Sequence, residues 1–280
     1  MGIVFLPQFA ENLLGIKSGS GGYLVTLMAI FTGIASPIGG KLIDKYSAKF
    51  ILLCGFGSTT IGTLILALLA APYNSKVALF IGLVFMGFGM GFTMGTPLNY
   101  LMQSNVDKSE TSSAQSTLSL IRSMGVAISP NILVNFVSEA GQSIPEKIMK
   151  VMPTINGLDG GMSGMLTNNT IPKDILNTLE NSDVTTITEA VKKLSENMFD
   201  NAAPSIQSAL SAKLPTNTPI ETVLSNMKAD YLSSIESIRG TIESTFMETM
   251  NSGYAKLFIA AAVIALIGFI LSLMLKNKSK

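Results

Sequence analysis

The fold is decided by the stretch Gly39-Gly40-Lys41-Leu42-Ile43-Asp44-Lys45-Tyr46-Ser47-Ala48-Lys49. It is a short basic turn between two apolar segments, residues 22–40 and 50–71. Each segment is long enough to cross a bilayer, which takes about 20 residues. Cytoplasmic loops of membrane proteins are enriched in lysine and arginine. The turn therefore predicts that the chain crosses the membrane, and it indicates which side is the cytoplasm.

More apolar blocks follow along the chain, at residues 77–102, 112–137 and 257–275. The first segment, residues 2–16, is shorter, and we expect it to be a span cut short at its start. The whole chain is 48% hydrophobic and only 13% charged, against about 25% charged in soluble proteins. The sequence thus predicts an all-α membrane protein with about six transmembrane helices.

Counting lysines in the short loops gives the orientation. The cytoplasmic side receives Lys41, Lys45, Lys49, Lys108 and three lysines at the C-terminus, while the opposite side holds only Lys17 and Lys76. Both termini are then cytoplasmic in a multi-pass protein of the cell membrane, which we expect to be bacterial. The predicted organisation is transmembrane helices one to five in residues 1–137, an external helical insert in 138–253, and a last span with a basic tail in 254–280.

The insert differs in composition from the rest of the chain. Residues 139–253 hold 14 acidic and 8 basic residues, a balance of −6, whereas the remainder holds 4 acidic and 11 basic, or +7. Residues 155–169 read as a glycine-rich linker. Apolar residues recur at helical spacing from Val184 to Met198 and from Ile220 to Phe246, and Thr218 is a predicted N-cap. A small helical bundle follows, acting either as a lid over a ligand or as a family-variable decoration.

Catalytic chemistry is not indicated. The chain has no histidine, which is the commonest general base and metal ligand, and it has no phosphate-binding glycine loop. Its single cysteine, Cys54, lies in an apolar block, where we expect it to be a packing residue. We therefore predict no catalytic residue, no metal, no cofactor and no nucleic-acid partner, and a protein that is not an enzyme.

Polar residues inside the predicted spans are the candidates for function, because an ionisable group in the bilayer is costly. Arg122 lies about three turns into the fifth block. It either faces a cavity, where it meets an acidic partner or substrate, or snorkels to the cytoplasmic interface near Asp107 and Glu110. The residues predicted to line an aqueous cavity with it are Asn99, Gln115 and Asn131. The alternative for these three is hydrogen bonding that only holds the helices together.

Small residues and prolines predict the packing of the fourth and fifth blocks. Gly87, Gly91 and Gly95 are four residues apart and share one helix face, which allows close approach of another helix. Pro97 and Pro130 are expected to kink their helices. The methionines and phenylalanines between positions 86 and 94 suit either a lipophilic ligand or contact with lipid.

The turn at 40–49 resembles the G-x-L-x-D-R-x-G-R-[RK] signature of the major facilitator superfamily. Gly40, Leu42 and Asp44 match it, Lys45 and Lys49 stand for its basic residues, and Ser47 and Ala48 depart from it. In that family a degenerate copy belongs to the second half of the protein. The Arg122-Ser-Met-Gly125 element and the long segment before the last helix are similar to features of fourteen-helix multidrug:proton antiporters.

The resemblance implies a function and a role for the turn. It implies the C-terminal half of an exporter of small lipophilic compounds, cationic ones included, that works by proton antiport and alternating access. Gly40, Asp44, Lys45 and Lys49 would form a gate motif, with Asp44 against a helix N-terminus of the other half; otherwise the lysines are only topology signals. The partners implied are lipid, protons and an N-terminal half or partner half-transporter, without which this chain is inactive. No acidic residue lies deep in an apolar block, so the proton-coupling group would come from that partner.

A second function class fits the same composition. The chain is alternatively a membrane-anchored scaffold or receptor-like protein, whose external insert of 115 residues binds a partner. Deleting residues 140–250 separates the two, because only the scaffold would lose its activity.

Overall fold

The described part of the chain is helical throughout. The computed structural model describes residues 2–17, 19–153, 179, 182–213 and 219–275, and no strand occurs among them. The helices are α1 (Gly2–Leu13), α2 (Gly22–Lys45), α3 (Ala48–Ile65), α4 (Ala71–Tyr73), α5 (Lys76–Met94), α6 (Thr96–Gln103), α7 (Thr111–Val151), α8 (Ile187–Lys213), α9 (Ile220–Ser237) and α10 (Arg239–Met274). The predicted all-α membrane protein is confirmed.

Five helical segments among the described residues are long and apolar enough to cross a bilayer. They are Gly22–Ile43, Ala48–Tyr73, Lys76–Gln103, Thr111–Val151 and Arg239–Met274. The predicted first span forms α1, which has 12 residues and is about 18 Å long, short of the 30 Å hydrocarbon core.

Local chemistry explains where the helices of the first half begin and end. The Ser47 side chain accepts a hydrogen bond from the Phe50 N–H and so caps α3. Ser75 caps α5 in the same way through the Ala78 N–H. Between α3 and α4 the helix widens into a π turn at Leu66–Ala70. Pro72 lies two residues after this turn and has no N–H to continue the regular hydrogen-bond ladder.

The residues form two compact units. Unit 1 comprises Met1–Glu139 with Asn251–Lys280, and unit 2 comprises Ala140–Met250. In unit 1, α5 packs against both α2 and α3. The ring of Phe9 in α1 lies 5.2 Å from that of Tyr254 and 5.5 Å from that of Phe258 in α10. All three aromatic side chains are buried, and they anchor α1 to α10.

Unit 2 is built on the two predicted apolar stripes. Val191 and Leu194 of α8 are buried, as are Tyr231 and Ile235 of α9 and Phe246 of α10, which confirms the stripes. Ion pairs complete the packing, because Lys192 of α8 bridges Glu189 and Glu236, and Lys228 of α9 pairs with Asp200 of α8. The hydrogen bond and charge of Lys192 lower the pKa of the Glu236 carboxyl.

Some local expectations turn out differently or lie outside the described residues. The helix that contains the fifth block, α7, runs past residue 137 and through Pro130 to Val151. The stripe predicted from Ile220 to Phe246 is divided between α9 and α10 at Ile238. Cys54 is exposed: it lies on the outer face of α3, so packing inside the chain does not account for it. The predicted linker 155–169 and the predicted cap Thr218 lie outside the described residues.

Candidate functional site

A break in the fourth span marks the candidate site. α5 ends at Met94 and α6 begins at Thr96, with Gly95 between them at φ −80° and ψ −141°. Pro97 sits in the first turn of α6. Because proline donates no backbone N–H, carbonyls at the end of α5 lose their usual partners. In a bilayer such carbonyls need other donors.

Arg122 of α7 supplies a donor to this break. Its guanidinium donates a hydrogen bond of 3.2 Å to the carbonyl oxygen of Met94. A cation is also stabilised by the negative end of the α5 helix dipole. Arg122 lies 11 residues after the start of α7, about 16 Å along the helix axis. The sequence predicted that this side chain faces either a cavity or the cytoplasmic interface. It did not predict the contact with the end of α5.

A polar recess lies beside the break. Its volume is about 380 Å³, and its lining consists of Ser36, Gly95, Asn99, Tyr100 and Gln103. Ser36 comes from α2 and the last three from α6. The lining includes the hydroxyls of Ser36 and Tyr100 and the amides of Asn99 and Gln103. The recess brings hydrogen-bonding groups of two helices together at the point where the span is broken.

Two of the other predicted cavity residues lie on α7. The side-chain oxygen of Gln115 accepts a hydrogen bond of 3.2 Å from the Gln103 amide, so Gln115 contacts a residue of the recess. Asn131 is exposed and donates to the carbonyl of Ala127 in its own helix. The structure therefore places Arg122 at the break, Asn99 in the recess and Gln115 against Gln103 of the recess, whereas Asn131 contacts only its own helix in the bond described.

Glycines set how closely α2 approaches α5. A Cβ atom at Gly87 would lie 2.7 Å from Phe31 Cβ, and one at Gly91 would lie 2.5 Å from Ala35 Cβ. At Gly95 it would lie 2.6 Å from the Ser36 hydroxyl oxygen. These distances are shorter than real contacts of carbon atoms, so only glycine fits.

A second glycine contact joins α5 to α3, which sequence reasoning missed. A Cβ at Gly89 would lie 2.7 Å from the Gly55 carbonyl oxygen, and one at Gly62 would lie 2.8 Å from the Gly82 carbonyl oxygen. Gly82 and Gly89 are seven residues apart, which is two helical turns. That spacing on the other face of α5 was the available signal.

The basic turn joins α2 and α3. Gly40 lies in α2, and Lys45 is its last residue, with its ammonium 5.6 Å from the centre of the Tyr46 ring. Lys49 donates a hydrogen bond of 2.6 Å to the carbonyl of Leu273 near the end of α10. The side chain of Asp44 lies outside the described part of the structure. Within unit 1, the turn and the end of α10 are thus at the same end of the helices.

Glu11 has a structural role that its sequence position did not suggest. One oxygen of its carboxylate accepts hydrogen bonds from the N–H groups of Gly19, at 3.0 Å, and Gly21, at 2.7 Å. Gly21 directly precedes α2, where free N–H groups and the helix dipole favour an anion. Glu11 therefore ties α1 to the start of α2.

Unit 2 contains a recess of its own. Its volume is about 220 Å³, and the lining is formed by Phe199, Asp200, Ala203, Glu221, Leu224, Ser225 and Lys228. Asp200 and Lys228, which pair at 2.7 Å, already satisfy each other's charge. This recess therefore presents fewer free charges than its composition suggests.

The part of the chain that forms the recess beside Gly95 matches a known protein family. The family model described as Major Facilitator Superfamily matches residues 1–130. Residues 1–130 are therefore similar to the Major Facilitator Superfamily. The matched range contains the basic turn, the break at Gly95 and Arg122, and it ends before unit 2 begins.

Several curated proteins are similar in sequence to this chain. The chain is 32% identical over 147 residues to the uncharacterized MFS-type transporter YfiU of Bacillus subtilis, covering 52% of this chain and 27% of the relative. It is 30% identical over 129 residues to multidrug resistance protein 3 of the same organism, covering 46% and 25%. To the multidrug transporter protein MdtP, also of Bacillus subtilis, it is 25% identical over 214 residues, covering 74% and 38%. No solved structure matches the chain significantly.

The similarity covers only part of each of these relatives. The matched part spans between a quarter and two fifths of the length of these relatives. The matched part of this chain is therefore similar to only a portion of each of these proteins.

Proposed function

We propose that this chain is the C-terminal half of a major facilitator exporter for small lipophilic compounds. The observation that carries the proposal is the family match over residues 1–130, together with relatives named as multidrug proteins. The degenerate gate motif at 40–49 supports the second half rather than the first. The chain would lie in the cell membrane with both termini in the cytoplasm and unit 2 outside.

The proposed mechanism is alternating access by two halves that rock around a shared site. The broken span, the polar recess and Arg122 supply this chain's share of that site. Rigid packing of α2, α3 and α5 through glycines lets unit 1 move as one body. Lys49, bonded to Leu273, would hold the cytoplasmic end of that body together.

Proton antiport needs a titratable group, and the apolar blocks of this chain supply no carboxylate. No aspartate or glutamate occurs in residues 22–40, 50–71, 77–102, 112–137 or 257–275. A coupling carboxylate would therefore come from the partner half, which also completes the cavity. This is why the isolated chain is proposed to be inactive.

Dye efflux from proteoliposomes tests the proposal. The chain joined to the N-terminal half of multidrug resistance protein 3 should move ethidium when a pH gradient is imposed, and the chain alone should not. Gradient-driven movement by the chain alone, at the rate of the joined protein, would contradict the half-transporter proposal.

Deletion of residues 140–250 separates this function from the scaffold alternative, in which unit 2 binds a partner. The joined exporter without unit 2 should still assemble and move ethidium. If the deletion instead leaves an intact membrane domain that assembles without any efflux, the essential activity resides in unit 2, and the scaffold reading replaces the exporter.

A further inference from the structure

The recess beside Gly95 has a chemical character that points to a class of ligand. We propose that it binds an amphiphile with a carboxylate headgroup, and that this carboxylate forms a salt bridge with the guanidinium of Arg122. The inference rests on the proposed function for the assumption that the recess lines the transport path, and its carboxylate ligand is a compound class separate from the cationic dye of the efflux test.

The lining of the recess favours an anion over a cation. Ser36, Asn99, Tyr100 and Gln103 offer hydroxyl and amide donors, and no carboxylate is among the described lining residues. A cation leaving water for this place would lose its hydration without gaining a countercharge, which is costly. Hydroxyls and amides can bind either sign of charge, so the preference for a carboxylate comes from the Arg122 guanidinium that is bonded to Met94.

Arg122 has donors to spare for such a ligand. A guanidinium carries five N–H donors, and the Met94 carbonyl takes a hydrogen bond from one of its terminal nitrogens. Met94 is the chain neighbour of Gly95, which lines the recess, so the guanidinium that binds the Met94 carbonyl lies close to the recess. Arginine binds carboxylates through two parallel hydrogen bonds, and these are stronger than bonds to a neutral carbonyl. A carboxylate in the recess therefore competes with Met94 for Arg122.

The size and the rim of the recess suit the rest of an amphiphile. Ligand pockets in proteins are commonly 300 to 1,000 Å³, and this one has about 380 Å³. Met94 is 50% exposed and Tyr100 is 47% exposed. Their apolar surfaces border the break and provide a place for a small hydrophobic body.

Binding of three matched probes to the purified full chain in neutral detergent tests the inference. The probes are naphthoate, naphthamide and naphthylmethylammonium, which share a ring system and differ in charge. Naphthoate should bind at least about tenfold more tightly than the ammonium, a difference of about 1.4 kcal/mol. Arg122→Gln should weaken the binding of naphthoate about tenfold, to the affinity of naphthamide. Asn99→Leu should weaken the binding of both naphthoate and naphthamide, because both accept hydrogen bonds.

Two further variants keep this test decisive. Lys193→Gln removes one positive charge at an exposed position of α8 and should leave all dissociation constants unchanged. If Arg122→Gln does not fold, Arg122→Lys keeps the charge but loses the planar fork, and should weaken naphthoate by a smaller factor. Equal binding of the ammonium and naphthoate, unchanged binding after either Arg122 substitution, or no binding of any probe would overturn the proposed site.

The outcome is separable from that of the transport test. Naphthoate binding without ethidium efflux by the joined protein would keep the site and remove the exporter function. Efflux of ethidium without naphthoate binding would keep the exporter and remove this ligand class.

Discussion

The ammonium of Lys49 lies 2.6 Å from the carbonyl oxygen of Leu273, which joins the start of α3 to the end of α10. The last carbonyls of a helix have no intrahelical partner, and a lysine there is favoured by the helix dipole. Lys49→Met should therefore lower the free energy of unfolding by up to about 1 kcal/mol. Thermal unfolding in detergent measures this effect.

The matched control for Lys49 is Lys41→Met. Lys41 carries the same charge and is exposed in the same turn region. Its substitution should leave the unfolding midpoint within error of the wild type. Equal losses for both variants would show that net charge, and not the bond to Leu273, sets the effect.

Gly91 decides the separation of α2 and α5. Its hypothetical Cβ would lie 2.5 Å from Ala35 Cβ and 2.7 Å from the Thr32 carbonyl oxygen, so Gly91→Ala forces the helices apart. We expect a loss of about 1–3 kcal/mol from overpacking. Gly33→Ala in α2 is the control, because a Cβ there meets nothing within 4 Å and should gain up to about 1 kcal/mol in helix propensity. A Gly91→Ala protein as stable as Gly33→Ala would contradict the close packing.

Glu11 holds the loop before α2. Glu11→Leu removes the acceptor for the N–H groups of Gly19 and Gly21, so both amides should exchange with deuterium at least about tenfold faster. Glu11→Gln keeps a neutral oxygen acceptor and should have a smaller effect. Exchange that stays slow in Glu11→Leu would show that the loop is held by other contacts.

The carboxyl of Asp183 makes the folding stability of unit 2 depend on pH in the acid range. Burial raises the pKa of its carboxyl, but hydrogen bonds from Thr185 and Thr186 outweigh it, and the net pKa is lowered. A lowered folded-state pKa stabilises the protein above the unfolded value of about 3.9, and this gain is lost as pH falls through the folded value.

The check on Asp183 compares the wild type with Asp183→Asn between about pH 6 and pH 3. The wild type should be more stable at the upper end, and the difference should shrink toward the lower end. A difference that is constant over this range would mean that the charge of Asp183 has no part in it.

Much of this structure follows from periodicity, and the remainder depends on contacts that a single sequence does not show. Helical spacing was enough to predict the buried stripe containing Tyr231 and Ile235, because one side of an amphipathic helix must be buried. Pro97 indicated an irregularity in the fourth span. The partner of the freed Met94 carbonyl is Arg122, 28 residues away along the chain, and no local pattern specifies that pairing.

One error concerns how apolar character was interpreted. Cys54 was expected to pack inside because it is apolar, but in a membrane an apolar residue is also stable facing lipid, and it is exposed here. The role of Glu11 was not predicted, because it depends on the N–H groups before α2 that bind its carboxylate. Apolar character does not tell lipid contact from core contact, and a polar residue's cost depends on partners distant in sequence.

The central claim is that the helices cross a bilayer with the basic turn in the cytoplasm and unit 2 outside, as an exporter half requires. A membrane-impermeant maleimide on intact cells measures this directly, in a Cys54→Ser background. We predict that Ser233→Cys of unit 2 is labelled from outside, and that Lys41→Cys of the turn is labelled only after permeabilisation. Labelling of Lys41→Cys on intact cells, with Ser233→Cys protected until permeabilisation, would contradict the claim.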